Sequence, residues 1–95
     1  MAEDREPTRR FEDLVEIVKI LRKECPWDRK QTHESIKDNL IEEAYEAVEA
    51  IDTEDFDELE KELGDVLLHV VFHSNMADET DRFSINDVIY TIQKK

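Results

Sequence analysis

The sequence predicts an all-α protein, an antiparallel bundle of about four helices. Three observations carry that reading. The 95 residues include one Gly and two Pro, which leaves little material for turns and implies few, short connections. Apolar residues recur at i, i+3 and i+4 over long stretches, the period of a helix with one buried face. Charged residues make up 41% of the chain, so the core is small and oligomerisation would add missing burial. A chain of this length makes a single domain.

Residues 1–7 read as a flexible polar lead and residues 8–95 as the helical domain. A first helix is predicted from Thr8 to Lys23, with Phe11, Leu14, Val15, Val18 and Leu21 at helical spacing. Cys25-Pro26-Trp27-Asp28 then breaks the pattern as a loop, because a residue before proline is pushed out of the helical region. The second helix starts between Thr32 and Ser35, whose hydroxyls can cap free amides, and runs to Ile51. Its stripe is Ile36, Leu40, Ala47 and Ile51. Asp52-Thr53 is read as the next connection, with Thr53 as N-cap of a third helix reaching Asp78. That helix is expected to turn Leu59, Leu63, Val66, Val70 and Ala77 inward. Ser84-Ile85-Asn86-Asp87 is a capping box with Asp in the place of Glu, opening a fourth helix through Val88, Ile89 and Ile92.

With 26 acidic against 13 basic residues and a formal charge of −13, the chain has no basic patch to meet phosphates. Binding to nucleic acid or to an anionic membrane is therefore not expected. A small anionic substrate would need a metal as intermediary. No apolar run is long enough to span a bilayer, and MAEDREPTRR lacks the apolar core of a signal peptide. The single cysteine, Cys25, cannot form an internal disulfide, and a cytoplasmic location is the expectation.

Two acidic clusters stand out, Glu42-Glu43-Ala44-Tyr45-Glu46 and Glu62-Leu63-Gly64-Asp65. Each puts carboxylates three or four residues apart on one helix face, where like charges repel unless a cation lies between them. On a helical wheel Glu43 falls between Leu40 and Ala47, inside the apolar stripe, with Glu46 at its edge and Glu42 further out. Glu62 flanks Leu59 and Val66, and Asp65 lies one step round. Glu43 and Glu62 are thus expected at the interhelical seam, with no Lys or Arg on the same faces to serve several carboxylates. A hard divalent cation with water and a substrate phosphate would resolve the repulsion. The alternative is a set of ordinary solvated acids; the mid-stripe position of Glu43 favours the metal. Gly64 costs roughly 1 kcal/mol in a helix relative to alanine. It is expected to allow a close approach of a helix or ligand, or else is a tolerated weak spot.

At these residues the chain resembles the MazG family of nucleoside triphosphate pyrophosphohydrolases. The resemblance runs from Leu21 to Lys95 and includes Cys25-Pro26-Trp27-Asp28 with Gln31-Thr32-His33, then Leu40-Ile41-Glu42-Glu43-Ala44-Tyr45-Glu46. Glu62-Leu63-Gly64-Asp65-Val66-Leu67-Leu68 and Val70-Val71-Phe72 complete it. The resemblance implies an all-α bundle completed by dimerisation, as a homodimer or a higher homo-oligomer. It implies hydrolysis of a nucleoside triphosphate between the α and β phosphates, giving the monophosphate and pyrophosphate. By motif, Glu43, Glu46, Glu62 and Asp65 would hold Mg2+, for which Mn2+ can substitute. Glu42 would bind a second metal or orient water, accepting its proton, which makes Glu42 and Glu43 the catalytic candidates. Trp27 suits stacking against a base, or serves as a hydrophobic plug. Lys30 or Arg29 would meet phosphate, or is mere surface charge. Family members commonly continue into a basic, histidine-containing tail; up to Lys95, metal binding is expected to persist without those groups.

His69 and His73, four apart on the third helix, have a spacing that can bind zinc, but hydrogen bonding at a helix interface is favoured. His33 is expected to cap locally or lie on the surface, and Cys25 to be a packed thiol rather than a nucleophile. A di-iron carboxylate site needs Glu three residues before His, where this chain has Val66 and Val70, so that reading fails. A non-catalytic helical dimerisation module is the remaining rival.

Overall fold

The computed structural model describes residues 6–95, so most of the predicted polar lead lies outside the described residues. The class is all-α, with helices α1 (Phe11–Glu24), α2 (Pro26–Lys30), α3 (His33–Asp52), α4 (Phe56–Glu79) and α5 (Ile85–Gln93). Four of these correspond to predicted helices; α2 was expected to be loop.

The differences have local causes. α1 begins at Phe11 rather than Thr8, because Arg10 is extended and the Thr8 hydroxyl donates instead to the Asp13 carboxylate at 2.7 Å. Cys25 is extended, as a residue before proline should be, and ends α1. The same proline then opens α2, since its fixed φ and missing N–H suit the first helical position. Thr32 caps α3: its hydroxyl accepts from the Ser35 amide at 3.0 Å, and the Ser35 hydroxyl accepts from the Thr32 amide at 2.9 Å.

Thr53 is the C-cap of α3 and not the N-cap of α4. That role falls to Asp55, which accepts from the Glu58 amide at 3.1 Å. Between them Glu54 adopts φ 54°, and bonds from Glu54 N to Ile51 O and from Asp55 N to Ala50 O satisfy the last carbonyls of α3. Asp81, at φ 58°, closes α4 by the same pattern, with Asp81 N to Asp78 O and Arg82 N to Ala77 O. The predicted capping box of α5 is present, with the Ser84 amide donating to Asp87 at 2.9 Å.

α3 and α4 pair antiparallel through this short joint; His33 meets His73 near one end and Glu43 meets Asp65 further along. α1 and α5 lie against α4. The core is Val18 of α1, Ile36 of α3, and Val71, Phe72 and Met76 of α4, with Leu14, Val15 and Ile85 packed against it. α4 turns Glu62, Val71, Phe72, Ser74, Met76 and Ala77 inward, so the predicted inner face is only partly right. Ala77 is buried and Leu59 and Val66 are half-buried, whereas Leu63 is 53% exposed and Val70 is exposed. On α3, Ile36 and Ala47 are buried but Ile51 is 57% exposed. The reason is a second apolar stripe on each helix. Ile41, Tyr45 and Val48 of α3, and Phe56, Leu63, Leu67 and Val70 of α4, recur at helical spacing and face outward.

Candidate metal centre and the adjoining cavity

The helical register of α3 and α4 brings the two acidic clusters together. Glu43, Glu62 and Asp65 each offer a carboxylate oxygen, and these oxygens lie within 4.8 Å of one another. Among the described residues this is the set of His, Cys, Asp and Glu side chains that converges in that way. Glu62 is the buried member, at 6% exposure; Glu43 is half-buried and Asp65 exposed. Glu46 stands outside that set and approaches Glu62 from the other side. There an open groove runs on between Glu46, Glu49, Thr53, Asp55 and Glu58. Glu42 is exposed on the next position of α3.

The electrostatics are one-sided. Burial is the main cause that pushes Glu62 up to about 8, helped by Glu58, Glu46 and Asp65 within hydrogen-bonding reach and by the Glu46 charge. Glu43 is also raised, by burial first and then by the charges of Asp65 and Glu46 and the remaining contacts of Asp65 and Glu42. Among the described residues, no ion pair reaches Glu43, Glu62 or Asp65. A buried carboxyl facing other carboxyls without a basic partner is unfavourable when charged. Oxygen donors at this mutual spacing suit a hard cation such as Mg2+, so the residues fit that ion.

One turn along α4 from Asp65, a cavity of about 190 Å3 opens between α1, α2, α3 and α4. Its walls include Trp27, Asp28, Asn39, Leu68, His69 and Phe72. That is below the ~300–1,000 Å3 of a pocket enclosing a drug-sized ligand, so it suits one ring system. Trp27 is 59% exposed and forms one wall of the cavity. Lys30 and Arg29 are exposed at the end of α2, outside the residues that line the cavity. The Asp28 carboxyl is raised by burial, opposed by a hydrogen bond from the half-buried Cys25 thiol and by the Arg22 charge.

His33 is exposed at the start of α3, where Thr32 is the cap, and it reaches across to α4. Its Nδ1 lies 2.7 Å from Nδ1 of His73, with the two rings stacked at 4.9 Å. His69 stacks on His73 at 6.2 Å. Burial lowers both His69 and His73, and His73 is lowered further by the charges of His33 and His69. His73 makes the interhelical hydrogen bond expected of it, to His33, whereas His69 Nδ1 and His73 Nε2 are buried without a hydrogen-bond partner. Gly64 has nothing within 4 Å of where a Cβ would stand, so no group of this chain makes the close approach expected there.

Sequence reasoning missed Glu58, which sits four residues before Glu62 and was findable by the same spacing. It also missed Asn39 and Asp28 on the cavity wall, for which no periodicity signal exists.

Carboxylates converging from two facing helices define a helical bundle with an acidic cluster at its seam. The model for the MazG nucleotide pyrophosphohydrolase domain matches residues 31–95, and the chain belongs to that family. It is 56% identical over 87 residues, 90% of its length, to the nucleoside triphosphate pyrophosphohydrolase/pyrophosphatase MazG of Thermotoga maritima, and covers 34% of that protein. It is 49% identical over 71 residues to a nucleoside triphosphate pyrophosphohydrolase of Escherichia coli K12, with 75% of this chain and 27% of the relative covered. A match of 48% over 87 residues to the uncharacterized protein YabN of Bacillus subtilis covers 90% of this chain and 18% of that one. The chain thus spans about a third or less of these relatives. No helix of the described residues is long and apolar enough to cross a membrane.

Proposed function

We propose that the chain is a nucleoside triphosphate pyrophosphohydrolase domain that cleaves between the α and β phosphates, releasing pyrophosphate and the monophosphate. The observation that carries this reading is the convergence of Glu43, Glu62 and Asp65 around the buried Glu62 carboxyl, which no ion pair of the described residues reaches. Glu43, Glu46, Glu62 and Asp65 are the residues that would hold Mg2+, or Mn2+ in its place. When bound there, the ion neutralises charge on the phosphate oxygens and activates water. Without it, this cluster repels a triphosphate.

The chain's own residues divide the remaining work. Glu62 and Glu43, at the seam of α3 and α4, would hold the ion from both helices. Glu42, exposed beside Glu43, is the proposed acceptor of a proton from an attacking water. The cavity one turn away takes the base, with Trp27 as a stacking wall and the Asn39 and His69 edges available for hydrogen bonds. Lys30 is the proposed phosphate contact, reached from the end of α2. The outward apolar stripes of α3 and α4 support assembly as a homodimer.

The relatives named for this activity make the hydrolase reading the stronger one over a non-catalytic dimerisation module. Pyrophosphate release from a panel of triphosphates with Mg2+ tests it. Glu43→Gln is expected to cut turnover by at least about a hundredfold, several kcal/mol of lost charge stabilisation, while the variant stays folded. Equal rates for parent and variant would remove Glu43 from the mechanism.

A further inference from the structure

α2 is an anomaly as a helix. It has five residues and buries none of them, so neither propensity nor apolar packing holds it in place. Yet it carries Trp27 and Asp28, two walls of the cavity. Besides the bond from Arg29 Nη1 to Lys23 O at 3.1 Å, one side chain of α1 fastens it. Arg22 Nη1 donates to the carbonyl oxygens of Asp28, Arg29 (3.1 Å) and Gln31 (2.9 Å) at the end of α2, where Asp28 O also accepts from the Gln31 amide at 3.3 Å. The other edge of the same guanidinium grips Glu79 of α4, Nε to Oε2 at 2.8 Å and Nη2 to Oε1 at 3.1 Å. The plane lies 6.0 Å from the Phe72 ring, itself a cavity wall. The Arg22 side chain is only 17% exposed, so these bonds are partly shielded from water.

We infer that Arg22 is a positioning residue: by tying the carbonyl end of α2 back to α1, it holds Trp27 and Asp28 as the wall of the cavity. The inference rests on the proposed use of that cavity for the nucleoside. Arginine suits this task because a rigid fork presents several donors at fixed angles, which an ammonium on a flexible stem does not. The Asp28 carboxyl feels the same charge, so Arg22 steadies the wall's side chain as well as its backbone.

The sole tryptophan of the chain makes the wall directly observable. In Arg22→Met, acrylamide quenching of Trp27 is expected to rise about twofold, and amide exchange across residues 26–31 to quicken at least about tenfold. KM for the best triphosphate of the panel is expected to rise about tenfold with kcat within about threefold, since uniform binding is lost and not transition-state binding. Glu79→Gln keeps the three carbonyl contacts and is expected to move each readout by less than about twofold. Should Arg22→Met fail to fold, Arg22→Lys keeps a charge for Glu79 but loses the fork, and the same shifts are expected at smaller size. Parent-like quenching and exchange in the arginine variants would overturn the inference, as would a loosened α2 with KM unchanged. A parent that hydrolyses no triphosphate would defeat the functional reading instead, while the fluorescence and exchange results still decide the role of Arg22.

Discussion

The Glu62 carboxyl, 6% exposed and facing Glu46, Glu58 and Asp65, is the residue whose protonation most depends on folding. Its value of about 8 lies above the ordinary 4.5. Between those two values the folded chain keeps a proton that the unfolded chain has released. Stability linked to this group is therefore present below 4.5 and is lost as pH rises towards 8. In chelator, the urea midpoint of the parent is expected to fall between pH 5 and pH 8 more steeply than that of Glu62→Gln. Adding Mg2+ is expected to flatten the parent's slope, because the cation replaces the proton. Identical slopes for the two proteins would show that Glu62 titrates normally.

Among the elements, the joint between α3 and α4 carries a removable cost. Glu54 holds φ 54° without being glycine, a conformation that costs an L-residue roughly 1–2 kcal/mol. Glu54→Gly is expected to stabilise the fold by about 0.5–1 kcal/mol, read as a rise in the denaturant midpoint at constant slope. This joint also marks where sequence reading stopped short. Apolar period located the four larger helices, and the Thr32 and Ser84 caps were legible from hydroxyls at the right offsets. Thr53 misled because threonine serves either side of a helix end, and the deciding φ of Glu54 has no sequence mark in a chain whose one glycine lies inside α4. Pro26 was read only as a terminator, although it also starts a helix. The carboxylates were legible because mid-stripe acids break a pattern that packing otherwise enforces. The cavity wall was not, since Arg22, Asp28 and Asn39 meet through tertiary contacts between helices.

For the whole molecule, the register of α3 and α4 governs the outer stripes as well as the carboxylates. The register that sets Glu43 beside Asp65 also sets Ile41 level with Leu67 and Tyr45 level with Leu63. The proposed homodimer would cover this apolar face. Sedimentation is expected to give a dimer in the parent and a folded monomer for Leu67→Glu, which plants a charge on that face. An unchanged sedimentation coefficient would exclude α4 from the contact.

Those uncovered stripes have a thermodynamic corollary. If two copies share them, each chain's resistance to heat becomes a property of how many neighbours it has, because mass action adds to the folding equilibrium. Tenfold dilution should then lower the melting temperature of the parent and leave Leu67→Glu where it was. A domain with so slim an interior would owe much of its durability to crowding by its own kind.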